Sequence, residues 1–187
     1  MPDSETDPRP GTLLISPPML EDPNFRRTVV LLCEHGAEGS FGLILNRPLD
    51  LHLSEAVEGF YAYDDTLSLG GPVQRDTLHF VHRCGEAHPD GIALADGVHW
   101  GGDFETLRTL LQQGEIDGDD VRFFVGYAGW SPGQLDGEIE QGGWILTESD
   151  AAAVFPDDAA KLWRAVLRRM GGEYAILANF PDDPRMN

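Results

Sequence analysis

The stretch from Thr28 to Pro48 constrains the fold more than any other part of this chain. Val29 to Cys33 is an uninterrupted apolar run, which is typical of a strand that is covered on both faces. After a polar loop that contains glycine, Phe41 to Leu45 predicts a second buried strand, in which Gly42 indicates a bulge or a close approach of two backbones. Pro48 ends this strand because proline has no backbone N–H to donate. We therefore expect two interior strands joined by a short loop.

Further strand and helix patterns follow in an irregular order. Short apolar runs predict strands at 12–16, 67–69, 77–83, 92–95, 98–100, 121–127 and 144–147. Apolar residues at helical spacing predict helices at 51–60, 103–113, 131–141 and 157–170, whereas 173–180 fits a helix or a strand. Ser131, Pro132 and Gln134 indicate a capping box at the start of the third helix. Several hairpins mixed with a few helices favour an α+β fold over a doubly wound parallel sheet.

The chain is long enough to fold as one domain without covalent support. A chain of 187 residues can bury about 70% of its unfolded surface, so we expect residues 11–187 to form a single domain. Residues 1–10 are polar, acidic and rich in proline, which predicts a disordered N-terminal segment. Cys33 and Cys84 are interpreted as reduced thiols rather than as a disulfide, because the core needs no such support.

The charge of the chain limits its partners. It has 13 basic and 32 acidic residues and a formal net charge of −19, so phosphate backbones repel it and direct nucleic-acid binding is disfavoured. A local basic patch would have to come from Arg26, Arg27, Arg164, Arg168 and Arg169. Arginines near the end of a helix more often complement its dipole in solvent.

The sequence has no feature that predicts export or membrane insertion. Its N-terminus lacks the apolar region of a secretory signal and the amphipathic pattern of a transit peptide. No apolar run approaches the roughly 20 residues that a transmembrane helix requires. We therefore expect a cytoplasmic protein with no membrane partner.

Two glycine-rich segments are candidate ligand sites. Residues 126–133 lie between a strand and a helix start, where free backbone amides and the positive end of the helix could hold an anion. The spacing matches neither dinucleotide-binding nor P-loop patterns, and the alternative is a tight turn that lets Trp130 pack closely. Gly70 and Gly71 form the second segment.

At the end of the second buried strand, Arg47 could face an anionic group or pair with a neighbouring carboxylate. The candidate ligand-binding residues are Asn46, Arg47, Gly70, Gly71, Gly126, Gly129, Trp130 and Ser131.

The densest group of potential metal ligands is His79, His82, Cys84 and His88. On the predicted strand, His82 and Cys84 could share a face and His79 points the other way. The spacing fits no established zinc pattern, so scattered structural side chains are favoured. A nucleophilic role for Cys84 would require a histidine that lowers the pKa of its thiol. No metal, cofactor or catalytic residue is assigned.

Four segments carry a resemblance to a known family. Residues 18–48 resemble the opening of the YqgE/AlgH family, Gly70-Gly71-Pro72-Val73 matches a turn of its members, and 126–135 and 180–187 resemble two further blocks. The resemblance implies a mixed, bifurcated β-sheet with a small barrel, surrounded by helices. The family is bacterial, its biochemical activity is not established, and its members are often labelled transcriptional regulators.

Three hypotheses about function follow. The first is a non-enzymatic regulatory or binding protein that acts indirectly, through a protein partner or a small-molecule ligand, without direct DNA binding. The alternative is an enzyme that acts on a small anionic or nucleotide-like molecule at the glycine-rich turns, with His82 or Cys84 as the reactive group. A structural adaptor, the third hypothesis, would expose one apolar patch and have no polar pocket.

Overall fold

The computed structural model describes residues 6–60, 64–85 and 90–182. Its strands are β1 (Thr12–Ile15), β2 (Val29–Gly36), β3 (Gly39–Ile44), β4 (Pro48–His52), β5 (Thr66–Leu69), β6 (Val73–His82), β7 (Ile92–Ala93), β8 (His99–Trp100), β9 (Val121–Trp130) and β10 (Ile145–Glu148). Its helices are α1 (Leu53–Ala56), α2 (Phe104–Gln112), α3 (Gln134–Glu140), α4 (Ala151–Val154), α5 (Leu162–Met170) and α6 (Gly172–Leu177), with 3-10 turns at Gly118–Asp120 and Ala159–Lys161. Within these described ranges, no helix is long and apolar enough to cross a membrane. The N-terminal boundary of the domain near residue 10 stays a prediction.

Strand β9 joins the two parts of the sheet. One of its edges pairs antiparallel with β6. The other edge is shared, because its C-terminal half pairs antiparallel with β3 and its N-terminal half pairs parallel with β5. From β3 the sheet continues through β2 and β1 to β10, and from β6 it continues through β8 to β7. The predicted α+β fold with a mixed, bifurcated sheet is confirmed, and its curled part forms a half barrel.

The position of β2 between β1 and β3 explains its apolar composition. Alternate residues beginning with Val29 face a core that is covered by α5. The intervening Val30 and Leu32 face a second core around Trp130 and Trp144. Both faces are therefore buried, as the sequence predicted, and each fully buried aliphatic side chain contributes about 1.5–3 kcal/mol relative to exposure. A third core lies between α2 and the strands β6 and β9.

Some predicted helices differ in their bounds. The helix expected at 51–60 is largely replaced, because β4 extends to His52 and pairs with β5 before the short α1 begins. The helix expected from residue 131 begins at Gln134, since Gly133 has a left-handed backbone with φ of 76°. The ambiguous segment 173–180 contains α6. In the helix expected at 103–113, Asp103 is the N-cap and accepts a hydrogen bond from the Thr106 backbone N–H.

Candidate functional site

A cavity of about 650 Å³ gathers four arginine side chains. It lies where the turn before β2, the junction of β3 with β4, the start of α5 and the last described residues meet. Its lining residues, which we call the arginine pocket, are Pro23, Arg26, Arg27, Asn46, Arg47, Pro48, Ala160, Trp163, Arg164 and Asp182. With one carboxylate against four guanidiniums, the lining carries a formal net charge of +3 in a chain whose net charge is −19.

Asn46 fixes the backbone at the floor of the arginine pocket. Its buried side-chain amide donates to the Arg27 carbonyl at 2.8 Å and accepts from the Val29 N–H at 2.9 Å. Arg27 has a left-handed backbone with φ of 55°, a conformation that costs a residue with a side chain about 1–2 kcal/mol. Asn46 therefore holds Arg27 in a strained conformation that aims its side chain at the pocket.

The Arg27 side chain is mostly buried, at 14% exposure. Its guanidinium carbon lies 4.3 Å from the centre of the Trp163 ring, a cation–π contact. Burial, followed by repulsion from Arg164, lowers the pKa of the Arg27 guanidinium, although arginine still stays protonated. Among the described residues, buried Nε and Nη1 have no hydrogen-bond acceptor. These two nitrogens are covered in the structure, and Nη1 lies 3.5 Å from the Asp182 carboxylate, so an anion could accept hydrogen bonds from them only after the covering groups move.

Arg47, between β3 and β4, and Arg164, on α5, complete the charge of the pocket. Arg47 donates to the backbone carbonyls of Arg26 and Asn46, and burial lowers the pKa of its guanidinium. In the part of the chain that the structure describes, Arg47 makes no ion pair, which argues against the carboxylate pairing considered from the sequence. Arg164 donates to the Asp182 carboxylate at 2.8 Å.

The basic patch considered from the sequence is only partly assembled. Arg26, Arg27 and Arg164 line the pocket together with Arg47. The remaining two candidates do not take part, since Arg168 is exposed on α5 and Arg169 of the same helix pairs with Asp150 at 2.6 Å. The sequence carried no local signal for Trp163 or Asp182, which lie more than 110 residues from Arg47 along the chain.

The two glycine-rich segments pack directly against each other. The Gly70 N–H donates to the Val125 carbonyl at 2.8 Å, so this amide is already used. A Cβ atom on Gly71 would lie under 3.0 Å from backbone atoms of Tyr127 and Ala128, and one on Gly126 would meet the Gly71 carbonyl oxygen. The glycines thus permit close backbone packing, which favours the alternative interpretation over an anion site.

Trp130, Gly129 and Ser131 also have structural partners. A hypothetical Cβ on Gly129 would lie 3.2 Å from the Tyr127 ring. The Ser131 N–H donates to the Gln134 side-chain oxygen at 3.0 Å, which is half of the predicted capping box. The indole N–H groups of Trp130 and Trp144 both donate to Glu138, at 3.0 and 2.8 Å. This carboxylate bridge was not predicted, because no motif links a helical glutamate to indoles eight residues before it and six residues after it.

Three of the four histidine and cysteine candidates lie in the described part of the chain, and they do not form a three-ligand site. His79 packs edge-on against the Phe41 and Tyr127 rings, and burial lowers the pKa of its imidazole. His82 is fully buried and stacks on the His99 ring at 5.4 Å. Within the described residues, no group of three or more His, Cys, Asp or Glu side chains could hold a metal ion. His88 lies outside these residues.

Cys84 is expected to react slowly with alkylating reagents. Burial, with a smaller effect of Asp120, raises the pKa of its thiol to about 11, so roughly one thiol in a thousand is ionised at pH 8. Cys33 is buried, and burial raises the pKa of its thiol well above the ordinary range. In a Cys33→Ala variant, iodoacetamide labelling at pH 8 should be about a hundredfold slower than for glutathione, measured by mass spectrometry. A labelling rate with its midpoint near pH 7 would contradict this and revive the nucleophile hypothesis.

Comparison with known proteins identifies the family. A family model described as "DUF179: AlgH-like" matches residues 13–175. The chain is 46% identical to UPF0301 protein CT0663 of Chlorobaculum tepidum, with 96% of each chain covered, and 43% identical to a UPF0301 protein of Cytophaga hutchinsonii, with 95% and 98% covered. Its fold is similar to the crystal structure of DIP2367 from Corynebacterium diphtheriae (TM-score 0.79, 25% identity, 93% of each chain). It is also similar to the solution structure of AlgH from Pseudomonas aeruginosa (TM-score 0.72, 28% identity, 97% and 98% covered). The chain therefore belongs to the YqgE/AlgH family, as its sequence predicted.

Proposed function

We propose that this protein is a non-enzymatic binding protein whose ligand is a small anion with more than one negative charge, held in the arginine pocket. Any regulatory effect is then exerted through the ligand-bound protein and not through direct contact with DNA. The observation that carries the proposal is the convergence of four arginines on one cavity of about 650 Å³ in a chain of net charge −19. Guanidinium groups bind carboxylate and phosphate oxygens through strong, directional hydrogen bonds.

The size and setting of the pocket favour a small anion over a nucleic acid. Pockets for small molecules usually measure about 300–1,000 Å³, and the arginine pocket falls in this range. A nucleic acid needs an extended basic surface that follows its backbone. Because the four pocket arginines are included in the net charge of −19, the rest of the chain carries −23. This surface would repel a polyanion but leave a single small anion room to bind.

The chemistry of the lining favours binding over catalysis. Its charged side chains are arginines and Asp182, and its other members are proline, alanine, asparagine and tryptophan. Apart from Asp182, which is paired with Arg164, none of these described lining residues is of a type that commonly attacks a substrate or transfers a proton near neutral pH. A cavity whose lining includes four arginines also argues against the structural adaptor, which was expected to lack a polar pocket.

Calorimetric titration with pyrophosphate tests this function. We expect wild-type protein to bind pyrophosphate, and Arg47→Met and Arg164→Met each to weaken binding about tenfold or more, because a hydrogen bond to a charged group contributes roughly 1.5–3 kcal/mol. Arg168→Met is the matched control, since it removes an exposed arginine from the same helix as Arg164 and should leave the affinity unchanged.

Two results would overturn the proposal. One is a folded wild-type protein that binds neither pyrophosphate nor adenosine monophosphate at millimolar concentration. The other is binding that Arg47→Met and Arg164→Met leave unchanged, which would place the anion elsewhere. A DNA retention assay at low salt completes the test, and we expect no retention of duplex DNA.

A further inference from the structure

The last described residues of the chain lie across the arginine pocket. Arg26 donates to the Asp182 carbonyl, and Arg27 donates through Nη2 to the carbonyls of Phe180 and Pro181. The Asp182 carboxylate oxygen Oδ1 lies 2.8 Å from Arg164 Nη2 and 3.5 Å from Arg27 Nη1. Three of the four pocket arginines therefore bind residues 180–182, which we call the C-terminal strap.

We propose that the Asp182 carboxylate occupies the subsite for the anionic group of the ligand, and that the ligand displaces the C-terminal strap when it binds. This inference rests on the proposed function, because it concerns the regulation of the same pocket. The strap is then an internal competitor that sets the ligand concentration at which the pocket fills. The ligand class is a phosphate ester or a related oxyanion with at least two negative charges.

The position of Asp182 marks the subsite. Its carboxylate oxygen lies between two guanidiniums from different elements, the turn before β2 and helix α5, as an oxygen of a bound anion would. One carboxylate supplies only two oxygens and one negative charge. A phosphate group supplies three terminal oxygens and up to two charges, which suits a lining of four guanidiniums better. In the described chain, Nε and Nη1 of Arg27 still have no hydrogen-bond acceptor with Asp182 in place.

The strap is held in a way that permits release. Its last backbone hydrogen bond to α6 runs from the Phe180 N–H to the Leu177 carbonyl, at 3.1 Å. Beyond that point, the described hydrogen bonds of the strap come from the pocket arginines themselves. The Asp182 side chain is 84% exposed, whereas Phe180 is 37% exposed, so release of the Asp182 end of the strap uncovers little apolar surface. Because the same guanidiniums hold the strap and the ligand, the two compete.

The test compares pyrophosphate binding to wild-type protein, Asp182→Asn and Asp158→Asn. Asp182→Asn keeps the shape of the side chain but removes the charge that competes with the ligand, and we expect it to tighten pyrophosphate binding about tenfold. Asp158→Asn is the matched control, since it removes the same charge from an aspartate that pairs with Lys161 and does not line the pocket, while the asparagine oxygen can still accept the hydrogen bond from the Ala160 N–H. It should change the affinity less than twofold.

The outcomes separate this inference from the proposed function. If wild-type protein binds pyrophosphate but Asp182→Asn binds it equally or more weakly, the competition is wrong and the anion site remains. If neither folded protein binds any anion, both proposals fail.

Hydrogen exchange gives an independent readout, because peptides that cover residues 180–182 should exchange faster when pyrophosphate is bound. Slower exchange would show that the strap closes over the ligand, and it would overturn the displacement.

Discussion

Gly71→Ala is expected to lower the free energy of unfolding by more than about 4 kcal/mol, a loss that only core defects usually cause. The added Cβ would lie under 3.0 Å from the carbonyl carbon and oxygen of Tyr127 and from the Ala128 nitrogen. These are backbone atoms of β9, which joins the two parts of the sheet, so they cannot move aside without breaking its pairing. Thermal unfolding followed by circular dichroism should show a melting temperature roughly 10 °C lower or more.

Gly137→Ala is the control for this substitution. Gly137 lies within α3, and a Cβ there would have no heavy atom within 4 Å apart from its chain neighbours and the backbone of its own helix. We therefore expect a gain of about 0.5–1 kcal/mol, because alanine loses less conformational entropy than glycine on entering a helix. A Gly71→Ala variant as stable as wild-type protein would mean that Gly71 and β9 are farther apart than described, and would reopen the glycine segments as a ligand site.

Arg122→Met should lower the free energy of unfolding by about 3–4 kcal/mol, the second-largest effect that we expect. The Arg122 guanidinium donates to the carbonyls of Val154 and Leu45, at 2.7 and 2.9 Å, and to the Ser68 hydroxyl at 3.1 Å. One side chain of β9 thus links α4, the end of β3 and β5. Hydrogen bonds that involve a charged group contribute roughly 1.5–3 kcal/mol each and are not fully additive. Methionine retains much of the apolar stem but none of the donors.

Urea denaturation measures this loss as a lower transition midpoint with an unchanged slope. Arg75→Met is the control, because Arg75 is exposed on β6, and we expect a change within about 0.5 kcal/mol. An Arg122→Met variant that unfolds at the same urea concentration as this control would show that the three hydrogen bonds only offset the burial of the charge.

The sequence predicted the fold best where one local pattern decided the structure. The apolar run of β2 can only be satisfied by burial on both faces, and the Asp103 cap defined α2. The error at 51–60 has a different origin. Leu51 and Leu53 also fit a strand, and the decision is made by pairing with β5, a partner more than ten residues away along the chain. Local spacing carries no information about such a partner.

The candidate site was predicted in pieces but not as a whole. Asn46 and Arg47 were named as ligand-binding residues, and Arg26, Arg27 and Arg164 as a basic patch, without a reason to combine them. Their convergence depends on packing between α5 and the start of β2, which no local motif encodes. The glycine segments predicted a ligand site, but close contact between their backbones explains why glycine is present there. Glycines are required equally by anion sites and by crossing backbones, so sequence alone could not separate the two.

The left-handed backbone of Arg27 lowers the folding stability at a residue that lines the proposed binding pocket. A sequence optimised for folding alone would carry glycine or asparagine at this position, since both adopt positive φ more readily than arginine does. Either substitution would relieve local strain and at the same time remove the guanidinium that stacks on Trp163. Arginine at this position therefore lowers the folding stability. Strained residues of this kind are found most often at functional sites. If the proposed function holds, engineering for thermal tolerance would favour replacing one of the four arginines that bind the anion.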